Sequence, residues 1–358
     1  MKIFITGGTG FIGGHLVRHL LDRGDSVVIA TRSPEKYQDD NSGKKRQSDK
    51  GQKPGKSDSQ GKSDSQGKSD SQGKNDGPGE SDGPGESDNS GLGQEQGKRD
   101  NPVRYVSIEG NLPELMEGCD AVVNLAGESL FGKRWTAGVK RRLYDSRIRT
   151  TRKLVDAMRE MDSKPALLLS GSAVGYYGDC GSDKITEKRS AGNDFLAGLS
   201  RDWEQAAMEA EHIGVRVVTP RIGVALGTEG GALATMLPVF RAFLGGSIGS
   251  GEQYFPWIHV DDLCLSFLYA MDDDTITGPY NASSPNPVTM DDFSKALGDT
   301  LSRPSIFRVP EFGLNMVLGE AAIMITTSLR VIPEKITDNG FRFNHEQVGE
   351  ALRDLLKD

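Results

Sequence analysis

A chain of 358 residues can hold one large or two ordinary domains. Its formal charge of −8 argues against nucleic acid or an anionic membrane as the main ligand. Three separated cysteines, five scattered histidines and no apolar run near ~18 residues exclude a disulfide framework, give no metal centre and give no membrane span.

The first predicted unit is a strand over 2–6, a helix over 11–23 and a strand over 26–31. Between strand and helix stand Gly7, Gly10 and Gly13, three apart, with Thr9 in the turn and Phe11 and Ile12 opening the helix. Gly7 lets the chain turn, Gly10 lets backbone approach a pyrophosphate and Gly13 lets helix pack on strand. The helix N-terminus offers unpaired N–H groups and a positive dipole end to an anion. Met1 and Lys2 run straight into this strand, and the expectation is a cytoplasmic protein with reduced thiols.

The second strand ends at Thr31-Arg32, where a dinucleotide's adenosine ribose would lie. No acidic residue for a 2′-hydroxyl stands at 30–33, whereas the Arg32 guanidinium suits a 2′-phosphate. NADP(H) is therefore favoured as cofactor.

From about 38 to 101 the chain is almost wholly Gly, Ser, Asp, Lys, Gln, Glu and Pro, with the hexapeptide of Gly55–Gln60 repeated at Gly61–Gln66 and Gly67–Gln72. No repeat has a hydrophobic face, so the segment reads as a disordered insertion. Order is expected again at 103–108, a short helix near 112–116, and a strand at 120–125 running into the small residues Ala126 and Gly127. A helix over 137–161, a strand over 166–170, a helix over 193–211, a strand over 215–220 and a helix over 261–271 follow. This alternation implies an α/β, Rossmann-type doubly wound parallel sheet over 1–37 and 102–282, with cleft segments from 225–256. Residues 283–358, broken by Pro304, Pro310 and Pro333, read as a smaller α-rich C-terminal lobe that makes a substrate cleft.

Several motifs occur in a characteristic order: Thr6–Gly13, Asn124–Glu128, Lys133-Arg134-Trp135, Ser146-Arg147, Ser170–Gly178, Arg221–Val224, Gly249–Gly251, Trp257–Asp262 and Gly278–Asn281. In these the chain resembles the extended short-chain dehydrogenase/reductases. It resembles most their atypical group of NAD(P)-dependent epimerase family proteins with a C-terminal domain of unknown function, some of which carry a cell-division-inhibitor label. The resemblance implies a cofactor site that includes Leu125, Ala126, Arg147 and Val224, and Ser172 as the family's substrate-orienting serine.

The family's usual chemistry uses a Tyr and a Lys four residues later, the Lys lowering the phenol pKa. None of the eight tyrosines here has that Lys. Counting back from Trp203-Glu204 places Leu196 and Ser200 where the pair would stand. Tyr177, or Tyr176 beside it, is then the candidate phenol. The expected function is hydride transfer, as an oxidoreductase or epimerase, on a small molecule; Lys133-Arg134-Trp135 form a basic, aromatic loop suited to an anionic one. The alternative is a non-catalytic NADP(H)-binding regulator, with cell division as the process that the family label names.

Overall fold

The computed structural model describes residues 1–38, 102–130, 134–310, 312–313, 316 and 319–357. The disorder expected for 38–101 and any role of Lys133 lie outside these residues, save for Gln38.

The opening apolar run forms β1 (Lys2–Thr6), and the helix pattern after the glycines forms α1 (Phe11–Asp22). β2 (Ser26–Thr31) pairs parallel with β1. A one-turn helix α2 (Glu35–Gln38) follows, and its Tyr37 stacks on Tyr105 of β3 (Val103–Ser107), with ring centroids 5.0 Å apart. Then come α3 (Leu112–Met116), β4 (Ala121–Asn124), α4 (Ala137–Glu160), β5 (Leu167–Ser170), β6 (Ser172–Ala173) and β7 (Lys184–Ile185). They lead to α5 (Phe195–Met208), β8 (Arg216–Ile222) and β9 (Val224–Leu226). Beyond these lie α6 (Gly231–Arg241), β10 (Gly246–Ile248), β11 (Tyr254–Phe255), β12 (Trp257–His259), α7 (Val260–Asp272) and β13 (Gly278–Ala282).

The main sheet runs β13-β8-β5-β4-β1-β2-β3, with β6 also on β8. All its pairings are parallel, as βαβ crossovers require. Strand residues alternate between two apolar layers. Ile3, Ile5, Val27 and Ile29 pack with Leu16, Leu20 and Phe267 of α1 and α7. Phe4, Val28, Val122 and Leu168 pack on the opposite face with Leu154 and Met158 of α4. A third cluster joins Leu233 and Leu237 of α6 and Trp257 to Phe293 and Leu297 of α8 (Met290–Leu301) and to Ala351 and Leu352 of the last helix, Val348–Leu355. No described helix is long and apolar enough to cross a membrane.

The C-terminal residues are less purely helical than the sequence suggests. β14 (Val288–Thr289), β15 (Phe307–Val309) and β16 (Arg330–Val331) pair with β11, β10 and β7. Strands of two or three residues carry no readable alternation, so their partners, far off in sequence, were invisible. Residues 1–39 and 101–358 form one compact unit, in which these pairings stitch the C-terminal segments to the earlier ones.

Candidate functional site

In this sheet the strand order reverses between β1 and β4, and a crevice at that switch point, beyond the strand C-termini, is where α/β sheets bind ligands. Gly7 adopts φ +77°, and its carbonyl accepts the Gly10 amide at 3.0 Å. A Cβ on Gly7 would stand 2.6 Å from the Leu125 carbonyl carbon and oxygen, and one on Gly13 would collide with the Gly7 carbonyl oxygen. Gly10 is exposed and caps α1 without a side-chain hydrogen bond. The turn therefore holds the end of β4 against α1 and leaves the helix's first amides facing outward, a cradle suited to a pyrophosphate.

Thr9 is exposed on the same turn. Phe11 and Ile12 put their side chains elsewhere. The Phe11 ring lies so close under the 227–231 loop that a Cβ on Gly227 or Gly230 would come within 2.6 or 2.8 Å of it, and Ile12 packs on the α1–α7 core. Toward a ligand these two offer backbone. At the end of β2, Thr31 accepts the Ser33 amide at 3.5 Å, and Arg32 is exposed with no hydrogen bond or ion pair among the described residues.

The crevice floor is a buried polar network. Thr6 Oγ1 donates to Asn124 Oδ1 at 2.7 Å. Asn124 Nδ2 donates to Thr151 Oγ1 at 2.8 Å and Ser170 Oγ at 3.1 Å, and Trp203 Nε1 also donates to Thr151 Oγ1 at 3.0 Å. Three strand ends and two helices are thereby fixed in register. Half-buried Leu125 and Ala126 follow directly.

Above this floor Arg147 is 9% exposed. Its guanidinium lies against Gly127 and 5.3 Å from the Trp203 ring, and it donates to the carbonyls of Glu128 and Leu143 at 3.1 and 3.2 Å. No carboxylate is in ion-pair range of it among the described residues, and burial lowers its pKa to about 10 despite the nearby Glu128. A buried cation beside the β4 loop is a ready partner for an anion entering the crevice.

Ser172 is buried and donates to Glu204 Oε1 at 2.6 Å. Arg221 grips Glu204 with two bonds, Nε to Oε1 at 2.8 Å and Nη2 to Oε2 at 2.9 Å. Arg221 Nη1 also donates to the Tyr177 hydroxyl at 2.9 Å, and that hydroxyl donates to Asn281 Oδ1 at 2.6 Å. The Tyr176 ring covers the Arg221 guanidinium at 3.6 Å. Glu187 accepts the Asn281 amide at 2.8 Å. Tyr177 is 3% exposed, and burial pushes its phenol up to about 12. It shares the network with Ser172 as a committed, protonated phenol.

Leu196, Ser200 and Glu204 fall at i, i+4 and i+8 of α5, one face of the helix. The face that would bear the Tyr–Lys pair thus carries a leucine packed with Trp135 and a buried serine. Glu204 and Arg221 are the residues that sequence reading passed over as functional. Arg221 stood in a motif and Glu204 marked the helix end, but their pairing across α5 and β8 needed the fold. Val224 lies on β9, half-buried, and donates its amide to Pro256 at 2.7 Å. It joins β12 rather than the nucleotide turn.

One described cluster, His259, His345 and Asp354, brings metal-type ligand atoms within 4.8 Å of one another. His259 Nδ1 accepts the Asp261 amide at 3.1 Å, so the neutral ring keeps its proton on Nε2, which faces Asp354 at 3.5 Å. Ligation by Nε2 would require an imidazolate, so the cluster reads as a tether. Asp262 completes it by accepting the amides of Asn344 and His345, both at 2.9 Å. A cavity of about 420 Å³ between α4 and α5, lined by Arg152, Asp156, Arg159, Asp202 and Glu209, is a charged groove remote from the strand C-termini. The glycine turn lies instead at the strand C-termini, where α/β sheets bind ligands.

The model of the NAD dependent epimerase/dehydratase family matches residues 3–57 and 98–282, and a domain of unknown function (DUF1731) matches 309–355. The chain is 33% identical over 359 residues to "Epimerase family protein SDR39U1 homolog, chloroplastic" of Arabidopsis thaliana, covering 100% of this chain and 87% of that protein. It is 32% identical to "Epimerase family protein YfhF" of Bacillus subtilis, covering 100% and 99%. Among solved structures, human epimerase family protein SDR39U1 (isoform 2) with NADPH superposes with a TM-score of 0.74 at 27% identity, over 99% of each chain.

Proposed function

Since the chain belongs to the NAD-dependent epimerase/dehydratase family, we propose that it binds NADP(H) and transfers hydride to or from a small molecule, as an oxidoreductase or epimerase. The observation that carries the cofactor reading is the β1–α1 turn. Gly7 and Gly13 permit its close contacts, and Gly10 leaves amides open to a diphosphate. Arg32, without a partner among the described residues, would take the 2′-phosphate, and the NADPH-bound human neighbour supports that preference.

NADPH supplies a hydride; the protein's part is to hold the acceptor and balance its charge. Ser172 gives its proton to Glu204, so toward a substrate its oxygen is an acceptor, suited to a substrate hydroxyl. Arg221 holds Glu204 in place, Tyr177 in turn accepts from Arg221, and neither is assigned a proton transfer. Arg147 supplies the fixed positive charge that the missing Lys would otherwise bring. The substrate is a small anion. A cytoplasmic setting accords with three free cysteines, each with its thiol pKa raised by burial.

Thermal-shift titration with NADPH, NADP+, NADH and NAD+ tests this. Larger shifts with the phosphorylated forms are expected. Equal shifts with NADH and NADPH remove the phosphate preference, and no shift with any removes the cofactor. A second reading, a non-catalytic NADP(H)-binding regulator, draws on Leu196 and Ser200 standing where the acid/base pair would be. Cofactor binding without turnover on any of a panel of carbonyl compounds would favour it.

A further inference from the structure

A cavity of about 350 Å³ opens between the start of α4, the start of α5 and the segment Gly319–Thr326. Trp135, Phe195 and Ile323 supply its apolar lining, and Lys140, Glu320 and Thr326 its polar groups. The Trp135 indole N–H is spent on the Leu130 carbonyl at 3.2 Å, so Trp135 offers only its ring. That ring meets Phe195 edge-on, with centroids 5.4 Å apart at 68°. The Lys140 ammonium lies 5.2 Å from the Phe195 centroid and pairs with Glu320. Glu320 is 62% exposed, on a single turn that begins at Gly319 with φ +58°.

These features describe a small-molecule site. The volume is near the low end of the ~300–1,000 Å³ usual for such sites, room for a one- or two-ring molecule rather than a sugar nucleotide. Aromatic walls select a flat apolar body, and a lysine over a ring selects an anion attached to it. The lysine's present partner is an exposed carboxylate, and such pairs hold weakly. A ligand that brings its own carboxylate on an aromatic body out-competes it. The cavity's Trp135, Phe195 and Ile323 belong to an apolar cluster that also takes in Leu196, at the helix position where the family's tyrosine would stand.

We infer that this cavity binds a small conjugated carboxylate, whose anion takes the place of Glu320 on Lys140. The inference deepens the proposed function by naming the substrate class, and its link to turnover rests on that reading. Its binding test does not.

Dissociation constants for trans-cinnamate and its neutral isostere trans-cinnamamide are measured by calorimetry on the full chain, with and without NADPH. Cinnamate is expected to bind, and the amide to bind more weakly. Lys140→Met should weaken cinnamate roughly tenfold or more, while Glu320→Gln should tighten it roughly threefold. The amide should respond to neither. The opposite signs matter, because a merely structural ion pair would lose from either change. Equal binding of acid and amide, shifts of the same sign in both variants, or no binding of cinnamate would overturn the inference. NADPH thermal shifts on the same samples separate this outcome from failure of the cofactor reading, since cinnamate binding is also measured without cofactor.

Discussion

Ser172 and Glu204 share a 2.6 Å hydrogen bond in which the serine donates, and the acceptor is held from its other side by two bonds from Arg221. This arrangement settles the direction of the serine's proton. Replacing Ser172 with Ala should lower NADPH-dependent turnover by roughly 10²-fold while leaving the NADPH thermal shift unchanged. Unaltered turnover would take Ser172 out of the chemistry.

Arg221→Leu would leave Glu204 buried without its cation. One-sided removal of a buried pair costs about 3–5 kcal/mol, and urea unfolding should show it as a lower midpoint at unchanged slope. A loss below about 1 kcal/mol, the size of an exposed pair, would mean that the pair is solvated in solution.

Gly13→Ala and Gly14→Ala make a matched test of the turn. A Cβ at Gly13 meets the Gly7 carbonyl oxygen, whereas one at Gly14 meets nothing within 4 Å. The first should abolish the NADPH thermal shift and lower stability. The second should bind NADPH normally and gain about 0.5–1 kcal/mol from the better helix residue. Indistinguishable variants would contradict the close approach of α1 to β1.

Arg32→Ala should weaken NADPH by roughly tenfold to a hundredfold, the worth of charge-assisted hydrogen bonds to a phosphate. NADH should be unaffected, and fluorescence titration of both reads the ratio. Equal losses would place Arg32 away from the 2′-position.

The His259 cluster sets a pH dependence of stability. Burial, then His345, lower the His259 pKa below 6.5, against the raising effects of Asp261, Asp262 and Asp354. Below 6.5 the unfolded chain takes up the proton first, so stability is lost as pH drops from 6.5 to the folded-state pKa. Above 6.5 the group contributes no slope. The slope from one such group is at most about 1.4 kcal/mol per pH unit. His259→Asn, which can still cap α7, should flatten melting temperature against pH in that window. His15, also lowered by burial, leaves a residual slope. An unchanged profile would show that His259 titrates normally.

Much of the fold was legible because its signals are local. The strands at 2–6 and 26–31 and the helices begun at Phe11 and Ala137 follow from apolar spacing and glycine placement. β13 was passed over because Gly278-Pro279 reads as a turn; as an edge strand it tolerates a proline. The site divided along the same line. The glycine turn and Arg32 are contiguous with their elements. Glu204 with Arg221, Asn124 with Thr6, and Lys140 with Glu320 are set by which elements, far apart in sequence, become neighbours, and a single sequence carries no mark of that. Phe11 shows the complementary limit. Its position in the fingerprint suggested a ligand contact, yet its ring serves the 227–231 loop.

The strand order also has a consequence during synthesis. β1 lies between β2 and β4, and the outer neighbour of β2 is β3, so a nascent chain that has completed β2 at Thr31 still lacks two of the three pairings these strands make. The β2–β3 pairing can close once Ser107 has emerged, and the β1–β4 pairing only when Asn124 has, 93 residues after Thr31 (124 − 31). At ~5–20 residues per second that is about 5–20 s on the ribosome. Throughout it the edge of Ile3-Phe4-Ile5 is open to any other strand, and that of Val27-Val28-Ile29 is open until Ser107 has emerged. Yield in cells should therefore respond to chaperone supply and to the translation rate across 39–101.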